Sequence, residues 1–398
     1  MNGKKVKINV EYLRPNSRII YPLYNSEGKK IAEARDVLTA DRIASIRSDC
    51  GSIVFAVDTG REGAVSLKKM NAARMVSRDI VHEITATEKL TRTAYLEAER
   101  VIEEIVADLQ SYEFEAINLL KDLKSHEEYI YQHSVNVGIL AAVFARVNGD
   151  FTPDEIKRIT LGAYLLDIGL VKIDVALLKK KGRFEAKDMQ KMKQHPQFGY
   201  EILKNIPGID PIVLQTVLFH HEKNSYKGYF QLPYDLLPMP PKIVSVCDVY
   251  DALTTDRPYR QALSPTDALR FLVNSIGTNF DYILVHGFIN HVGPLLNNTQ
   301  SFYRRGDFCE LNTRELAMIM GFSMLDYLKP RVLVFCKFQR VKNKMIVKFY
   351  DRPVEVSLED DEDRRLVKII DNPQHIHAIR TRLIEKGMIV WPFPSASG

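Results

Sequence analysis

The sequence has no long apolar segment and no paired cysteines. Its longest apolar run, residues 137–145, ends at Arg146, whereas a membrane-spanning helix needs about 20 apolar residues. The positively charged N-terminus has no apolar segment behind it, so a secretory signal is not expected. The four cysteines lie far apart and form no Cys-x-x-Cys pair, which excludes a zinc ribbon and a thioredoxin-type site. We therefore expect a cytoplasmic protein whose thiols are reduced.

The composition indicates a globular protein of more than one domain. The chain has 398 residues, of which 45% are apolar and 26% are charged. At about 100–200 residues per domain, this length predicts two or three domains. The net charge of +5 is small and spread along the chain. Such a charge is compatible with an anionic ligand, but it gives no reason to expect a nucleic acid polymer as partner.

Residues 1–70 predict a small α/β accessory module. The alternation at 6–10, the hairpin pattern over 19–34 and the apolar run at 53–57 are typical of strands, and Thr39 is suited to cap a short helix between them. This segment contains no cluster of histidine or cysteine. We therefore interpret it as an interaction or sensory module and not as a catalytic one.

Residues 71–114 predict a linking helix. Apolar residues recur at every fourth position at Val101, Ile105 and Leu109, and charged residues occupy the opposite face. Two interpretations of the apolar face are open. It packs against the domain that follows, or it forms a homodimer through residues 75–111.

The remainder of the chain predicts a helical domain followed by a β-rich extension. Residues 115–300 are helical in pattern, with a capping box at 152–155. Residues 301–398 contain short apolar runs typical of strands, and then a helix that begins after Asn372 and ends before Gly387. We therefore predict a mainly α fold: a helical bundle with a small N-terminal α/β module and a small β-rich C-terminal extension.

Six residues in the helical region have the spacing of successive helices. They are His133, Asp167, His195, His220, His221 and Asp248. The steps along this series are 34, 28, 25 and 28 residues, with the adjacent histidines counted as one level. A helix with its connection has about this length, so each step returns the chain to one level of a bundle. Inward-facing imidazoles and carboxylates build metal sites in such bundles, and this combination favours Fe, Mn, Zn, Ni or Co over Ca or Mg.

The motifs around these residues resemble those of the HD-GYP family. This family is a subgroup of the HD metal-dependent phosphohydrolases, and it hydrolyses the bacterial second messenger cyclic di-GMP. The resemblance implies that the helical domain is an HD-type bundle, and the flanking parts also resemble the domains that often precede and follow it. The matching segments are 131–137, 166–169, 195–196, 220–222, 228–229, 248–252 and 257–260.

The chain departs from the family pattern at three positions. Leu166 replaces the histidine of the His-Asp pair, and Leu170 replaces a lysine that contacts the substrate phosphate in the family. Gly228 and Tyr229 match the Gly-Tyr-Pro loop, but Phe230 replaces its proline, which removes the fixed φ of that turn. The resemblance therefore implies a centre that lacks one metal ligand and one phosphate-binding cation.

The resemblance also implies ligand sets for one or two divalent ions, Fe or Mn. One ion would be held by Asp167, His195, His220 and His221. The other would be held by what remains of its set, which is His133, Asp167 and Asp248. Asp167 would bridge the two ions in catalysis. The substrate would be contacted by Tyr229, Arg257 and Arg260.

Two functional hypotheses follow from the resemblance. In the first, the chain is a degenerate HD-GYP protein of cyclic di-GMP signalling that binds metal, is catalytically impaired, and acts as a ligand-binding or protein-interaction module. Its partners would be cyclic di-GMP and signalling proteins such as GGDEF or PilZ domain proteins. In the second, it is an active but slow cyclic di-GMP phosphodiesterase that releases pGpG or GMP by two-metal hydrolysis. We favour the first because two functional groups are missing.

Overall fold

A computed structural model describes residues 4–389 of the chain with several gaps. The residues outside the description are 1–3, 11–12, 14–16, 19–21, 34–35, 52, 59–66, 112–128, 149–150, 181, 183, 257–260, 294–301, 324–325, 342–343 and 390–398.

The N-terminal part forms the predicted small α/β module. Its elements are β1 (Lys4–Asn9), β2 (Ser17–Arg18), β3 (Leu23–Tyr24), β4 (Lys30–Ala32), β5 (Val37–Leu38), α1 (Ala40–Cys50) and β6 (Ile53–Asp58). Four strands form a sheet in the order β1-β6-β3-β4, and β2 pairs with β5. Thr39 caps α1 as predicted, because its side chain accepts a hydrogen bond from the backbone N–H of Arg42. The module has an apolar core of its own, to which Leu38, Ile43 and Val54 contribute.

The middle part is a helical bundle, which confirms the predicted mainly α fold. The helices are α2 (Leu67–Thr87), α3 (Arg92–Ser111), α4 (Tyr129–Asn148), α5 (Pro153–Tyr164), α6 (Val175–Leu178), α7 (Ala186–Met192), α8 (His195–Leu203), α9 (Pro211–Phe219), α10 (Met239–Thr254), α11 (Pro265–Asn274) and α12 (Tyr282–Gly287). Short 3₁₀ turns occur at Ile168–Lys172 and Tyr234–Leu236, and a π-helical turn follows α12 at Phe288–Val292.

The single linking helix predicted for residues 71–114 is wrong, because two helices occupy this stretch. The turn between α2 and α3 contains Glu88 in the left-handed region, at φ 60°, and no Gly or Pro marks this turn in the sequence. The two helices pack against each other and against α4 and α5. The apolar face with Val101, Ile105 and Leu109 is buried in the core of the bundle. The structure thus agrees with packing on the following domain, and the homodimer stays a prediction.

The C-terminal part is an antiparallel sheet covered by one helix. Its elements are β7 (Phe308–Leu311), β8 (Glu315–Gly321), β9 (Arg331–Val341), β10 (Lys344–Ser357), β11 (Leu366–Ile369) and α13 (Pro373–Glu385). The strand order is β10-β9-β8-β7-β11. Asn372 caps α13 and Gly387 adopts φ 65° just beyond it, as the sequence predicted.

One arginine joins the bundle to this C-terminal sheet. Arg270 on α11 donates from Nη1 to Asp307 at 2.8 Å and from Nε to Asp371 at 2.9 Å. Asn274, one turn later, donates to Asp371 and accepts from the backbone N–H of Ile369. The Arg270 side chain is half-buried between two carboxylates, so these hydrogen bonds are charge-assisted and weakly screened.

Among the helices in the described ranges, none combines the length and the apolar character that crossing a bilayer requires.

We expect Arg270→Met to weaken the attachment of the C-terminal sheet. The substitution keeps much of the aliphatic stem but leaves Asp307 and Asp371 without their guanidinium, which costs about 1–3 kcal/mol when a buried partner is lost. Thermal unfolding should shift downward, and limited proteolysis should release the C-terminal part earlier. Arg305→Met, at an exposed site on the neighbouring turn, is the control. Equal behaviour of the two variants would contradict the role given to Arg270.

Candidate metal centre

Four helices and one turn bring the six predicted site residues together. His133 lies on α4, Asp167 lies in the turn after α5, and His195 is the first residue of α8. His220 and His221 directly follow the end of α9, and Asp248 lies on α10. The helix-to-helix spacing in the sequence therefore corresponds to one level of the folded bundle.

Three histidines form the more compact half of the centre. The ligand nitrogens of His195, His220 and His221 lie within 4.8 Å of one another. The rings of His220 and His221 have centroids 4.1 Å apart. A divalent ion about 2.0–2.1 Å from each nitrogen would join these ligands with little movement.

Backbone carbonyls fix which nitrogen of two histidines faces the centre. Nδ1 of His195 lies 2.9 Å from the carbonyl oxygen of Met192, and Nδ1 of His220 lies 2.9 Å from that of Val217. Because a carbonyl only accepts, each Nδ1 is the donor, and the neutral ring presents a lone pair at Nε2. The two Nε2 atoms face each other at 3.4 Å, and an oxygen of Asp167 lies 3.3 Å from that of His195. Acceptors that converge in this way fit a bound cation.

Burial keeps the histidine pair in the neutral form that binds metal. Burial lowers the pKa of His220, and the neighbouring His195 lowers it further. Burial and the neighbouring His220 place the pKa of His221 well below its ordinary value. Both rings are therefore neutral at pH 7, and a metal ion would not have to displace a proton from them.

His133 and two aspartates form the other half of the centre. Nε2 of His133 lies 3.0 Å from Asp248 and 3.9 Å from Asp167. On the opposite side of the ring, Nδ1 lies 2.7 Å from Asp251. A neutral ring that donates from Nδ1 presents its Nε2 lone pair to two carboxylates, which again fits a cation between them.

Each of the two aspartates at the centre faces both halves. One oxygen of Asp167 is near His195 and the other is near His133. Likewise, one oxygen of Asp248 is near His133, and the other lies 3.9 Å from Nδ1 of His221. Asp248 therefore has the same two-sided geometry as Asp167, for which the resemblance implied a bridging role.

The two leucines that depart from the family pattern take apolar roles. Leu166 is fully buried and belongs to the apolar core of the bundle. Leu170 is half-buried in the 3₁₀ turn that follows Asp167. Lys172 does not replace the missing lysine, since its ammonium pairs with Glu88 at 3.4 Å on the turn between α2 and α3.

A close backbone contact places Asp167 beside His195. A Cβ atom on Gly169 would lie 1.9 Å from the carbonyl oxygen of His195 and 2.5 Å from the backbone nitrogen of Gly199. Only a glycine at position 169 therefore lets the 3₁₀ turn reach the first turn of α8. This contact explains why the motif needs glycine two residues after the aspartate.

A buried glutamate shapes the Gly-Tyr loop. Glu222 accepts hydrogen bonds from the backbone N–H groups of Phe230 at 2.7 Å and Leu232 at 2.8 Å. A Cβ atom on Gly228 would lie 2.6 Å from Cα of Glu222, so the loop needs glycine there. These contacts hold the loop in place although Phe230 stands where the family has proline.

Tyr229, at the tip of this loop, packs over the histidines. Its ring centroid lies 4.4 Å from that of His221 and 6.1 Å from that of His195. Burial raises the pKa of Tyr229, so its phenol stays protonated. Arg257 and Arg260, the other predicted substrate contacts, lie outside the described residues.

Three residues near the centre had no role assigned to them from the sequence. Lys193 places its Nζ 5.4 Å from the centroid of the Tyr229 ring. Asp251 and Glu222 supply the hydrogen bonds described above. A signal existed for Asp251, because it follows Asp248 by three residues and shares its face of α10. Glu222 directly follows the histidine pair, but its loop contacts are eight and ten residues distant.

Comparison with known proteins identifies the helical part. Residues 118–284 match the HD domain family. The cyclic di-GMP phosphodiesterase PA4108 of Pseudomonas aeruginosa is 29% identical over 60% of this chain and 55% of its own length. The cyclic di-GMP phosphodiesterase response regulator RpfG of Xanthomonas campestris is 35% identical over 32% of this chain and 34% of its own length. A 3'3'-cGAMP-specific phosphodiesterase of Vibrio cholerae is 27% identical over 45% of this chain and 37% of its own length. The chain thus spans about half or less of the length of these relatives.

We expect Glu222→Gln to loosen the Gly-Tyr loop. Glutamine has one acceptor oxygen, and its NH₂ group would face a second backbone N–H, so about 1–3 kcal/mol of local stability is lost. Hydrogen exchange at the amides of Phe230 and Leu232 should accelerate by about tenfold or more. The control is Glu201→Gln on the surface of α8. Protection unchanged from the native protein would show that Glu222 does not hold the loop.

Proposed function

Because the chain belongs to the HD-GYP family, we propose that it is a degenerate member of that family. It binds a divalent metal, Fe or Mn, and it binds the cyclic dinucleotide cyclic di-GMP. Its hydrolysis of this dinucleotide is impaired. In this function it acts in bacterial cyclic di-GMP signalling as a ligand-binding or protein-interaction module. The named relatives support this direction, since two of the three described above are cyclic di-GMP phosphodiesterases.

The observation that supports the proposed metal site is that hydrogen-bond acceptors converge there without a hydrogen-bond donor between them. Nε2 of His195 and Nε2 of His220 lie 3.4 Å apart, and a carboxylate oxygen of Asp167 is 3.3 Å from the first. Like partial charges buried at this distance are unfavourable in a medium of low dielectric constant unless a cation lies between them. A divalent ion with imidazole and carboxylate ligands is the simplest group of the required charge and size.

The case for impaired hydrolysis rests on Leu166 and Leu170. Two bound ions would supply an activated water and stabilise the oxyanions of phosphodiester cleavage. The His133 half keeps one imidazole, because Leu166 offers no ligand and is buried in the core. Leu170 offers no ammonium to the phosphate. Loss of a ligand weakens the second ion, and loss of the cation removes charge stabilisation at the phosphate.

The loop and its surroundings are suited to hold a dinucleotide. Tyr229 offers an aromatic ring beside the histidines, and Lys193 places its ammonium 5.4 Å from the centroid of that ring. Lys193 therefore takes over part of the role of the missing lysine, at a different point of the pocket. The resemblance implies Arg257 and Arg260 as further substrate contacts, and guanidinium groups suit both phosphate and guanine.

The alternative function is a slow phosphodiesterase that gives pGpG or GMP. The observation in its favour is that Asp167 and Asp248 each face both halves of the centre, as carboxylates that bridge two ions would. Under this alternative the second ion is present but weakly held. Metal stoichiometry separates the two functions, because two bound ions per chain favour the enzyme, whereas one or none favours the ligand-binding or protein-interaction module.

Signalling proteins such as GGDEF or PilZ domain proteins are the proposed partners, and a homodimer through residues 75–111 is the proposed assembly. Met75 on α2 and Leu96 on α3 are apolar and exposed, at 60% and 46%. Their exposure supports a contact surface on this helical hairpin, because their burial against a second copy would remove apolar area from water.

We expect His220→Ala to remove most of the bound metal. His220 is fully buried, and its Nε2 lies at the centre of the three-histidine half, so no neighbouring side chain can replace it. Elemental analysis of the purified variant should show a loss of at least one ion per chain. His82→Ala, at an exposed position of α2, is the matched control. Unchanged metal content in His220→Ala would overturn the proposed site.

We expect Leu166→His with Leu170→Lys to raise the occupancy of the second ion and to increase turnover. The added imidazole and ammonium act on transition-state charge, and each ~1.4 kcal/mol changes the rate tenfold, so a gain of about ten- to a thousandfold is expected. Metal stoichiometry and product release are measured with Mn or anaerobic Fe. Leu165→His adds an imidazole one residue earlier and is the control.

The outcomes of this repair separate its causes. A second ion without turnover would point to the Gly-Tyr loop as the barrier to substrate. Gain of neither, in a variant that still unfolds cooperatively, would contradict the assignment of Leu166 to the place of a metal ligand.

A further inference from the structure

A hydrogen-bonded chain of side chains runs from α2 to the centre. Nη1 of Arg74 on α2 donates to Oε1 of Gln132 on α4 at 3.0 Å. Nε2 of Gln132 donates to Oδ1 of Asn136, one turn later on α4, at 3.1 Å. Nδ2 of Asn136 donates to Oδ1 of Asp251 on α10 at 2.8 Å. The other oxygen of Asp251 is the acceptor for Nδ1 of His133 at 2.7 Å.

All four members beyond the arginine are withdrawn from water. Gln132, His133, Asn136 and Asp251 are exposed by 1–3% only. Each amide in the chain accepts through its oxygen and donates through its nitrogen, so the hydrogen bonds have a single direction that begins at the guanidinium and ends at the carboxylate. Loss of one member would leave a buried polar group without its partner, which a buried network does not tolerate.

The hydrogen-bonded chain of side chains ends at His133, the histidine whose orientation matters most for the centre. In the half of the centre where Leu166 replaces an imidazole, His133 is the one remaining nitrogen ligand of the implied set. Hydrogen bonds to the far side of a ligating imidazole set its tautomer and its ring plane, and their removal weakens metal binding about 10–100-fold. A ligand that is not supported by a second imidazole depends more strongly on such hydrogen bonds.

We propose that Gln132, Asn136 and Asp251 are positioning residues for His133. Through Arg74, the metal occupancy of the His133 half also depends on the position of α2. This inference rests on the metal centre proposed above. Asp251 fixes Nδ1 as the donor, which turns Nε2 towards Asp248 and Asp167. Asn136 holds Asp251, and Gln132 holds Asn136. Arg74 is the member of the hydrogen-bonded chain that lies on α2.

In the sequence α2 follows the N-terminal module, and this position gives the hydrogen-bonded chain of side chains a function. The helix begins at Leu67, after β6 of the N-terminal module ends at Asp58. Its backbone is also held from the bundle, since Tyr164 on α5 donates to the carbonyl oxygen of Ala73 at 2.5 Å. A displacement of α2 by less than the length of a hydrogen bond would break the contact from Arg74 to Gln132. The His133 half would then lose its ordered support, whereas the three-histidine half would keep its own carbonyl contacts.

The test is a metal titration of the full chain with Mn²⁺, followed by the visible spectrum of the Co²⁺-loaded protein. His133→Ala first identifies the binding step that belongs to the His133 half. Arg74→Met should weaken that step by about tenfold and leave the other step unchanged. Asn136→Leu should weaken it further, and Arg74→Lys should recover part of the loss. Lys68→Met removes a charge from an exposed site of the same helix and is the control.

Four outcomes decide the proposal. Selective weakening of one step, with a changed Co²⁺ spectrum and little change in thermal unfolding of the metal-free protein, supports it. Equal weakening of both steps, or a loss that follows the unfolding temperature alone, would show a purely structural role and overturn it. If the native protein binds two ions and Arg74→Met leaves both affinities unchanged, the proposed role of Arg74 is wrong, but the proposed metal centre is not contradicted. A native protein that binds no ion in the His133 half would refute both the proposed role of the hydrogen-bonded chain and the proposed metal site in that half.

Discussion

Imidazole nitrogens and carboxylate oxygens face one another at the middle of the bundle, and the N–H donors of His133, His195 and His220 are directed outward. The N–H groups of His195 and His220 donate to carbonyl oxygens three residues earlier, and that of His133 faces Asp251. A buried set of acceptors is unfavourable by itself, because low dielectric strengthens the repulsion between them. The surrounding helices thus form a site whose electrostatics favour a cation.

Close backbone approach makes this convergence sterically feasible. Gly169 permits contact between the turn after α5 and the first turn of α8, and Gly228 permits contact between the Gly-Tyr loop and Glu222. A methyl group at either position would overlap backbone atoms. The glycines of the motif therefore act through distance, since they let Asp167 and Tyr229 come within reach of the histidines.

The sequence predicted the levels of the bundle but not the contacts between distant segments. Capping residues such as Thr39 and Asn372 act locally, so the helices that they begin were predicted correctly. The break between α2 and α3 was missed because Glu88 adopts the left-handed conformation without a glycine. The support of His133 was missed for another reason, since Asn136 and Asp251 are 115 residues apart and only the tertiary fold pairs them.

The two halves of the centre differ in the origin of their support. In the three-histidine half, each carbonyl that orients a ring lies three residues away in the same segment, so this order is local and moves with the ligand. In the His133 half the support crosses from α4 to α10 and to α2. In the proposed assignment Leu166 stands in the place of a metal ligand, and the burial of its apolar side chain contributes about 1.5–3 kcal/mol to the core of the bundle. The proposed loss of a ligand is therefore compatible with a stable fold, and the half that it leaves with one imidazole is the half connected to α2. A motion of that helix would change the occupancy of one ion and leave the other in place.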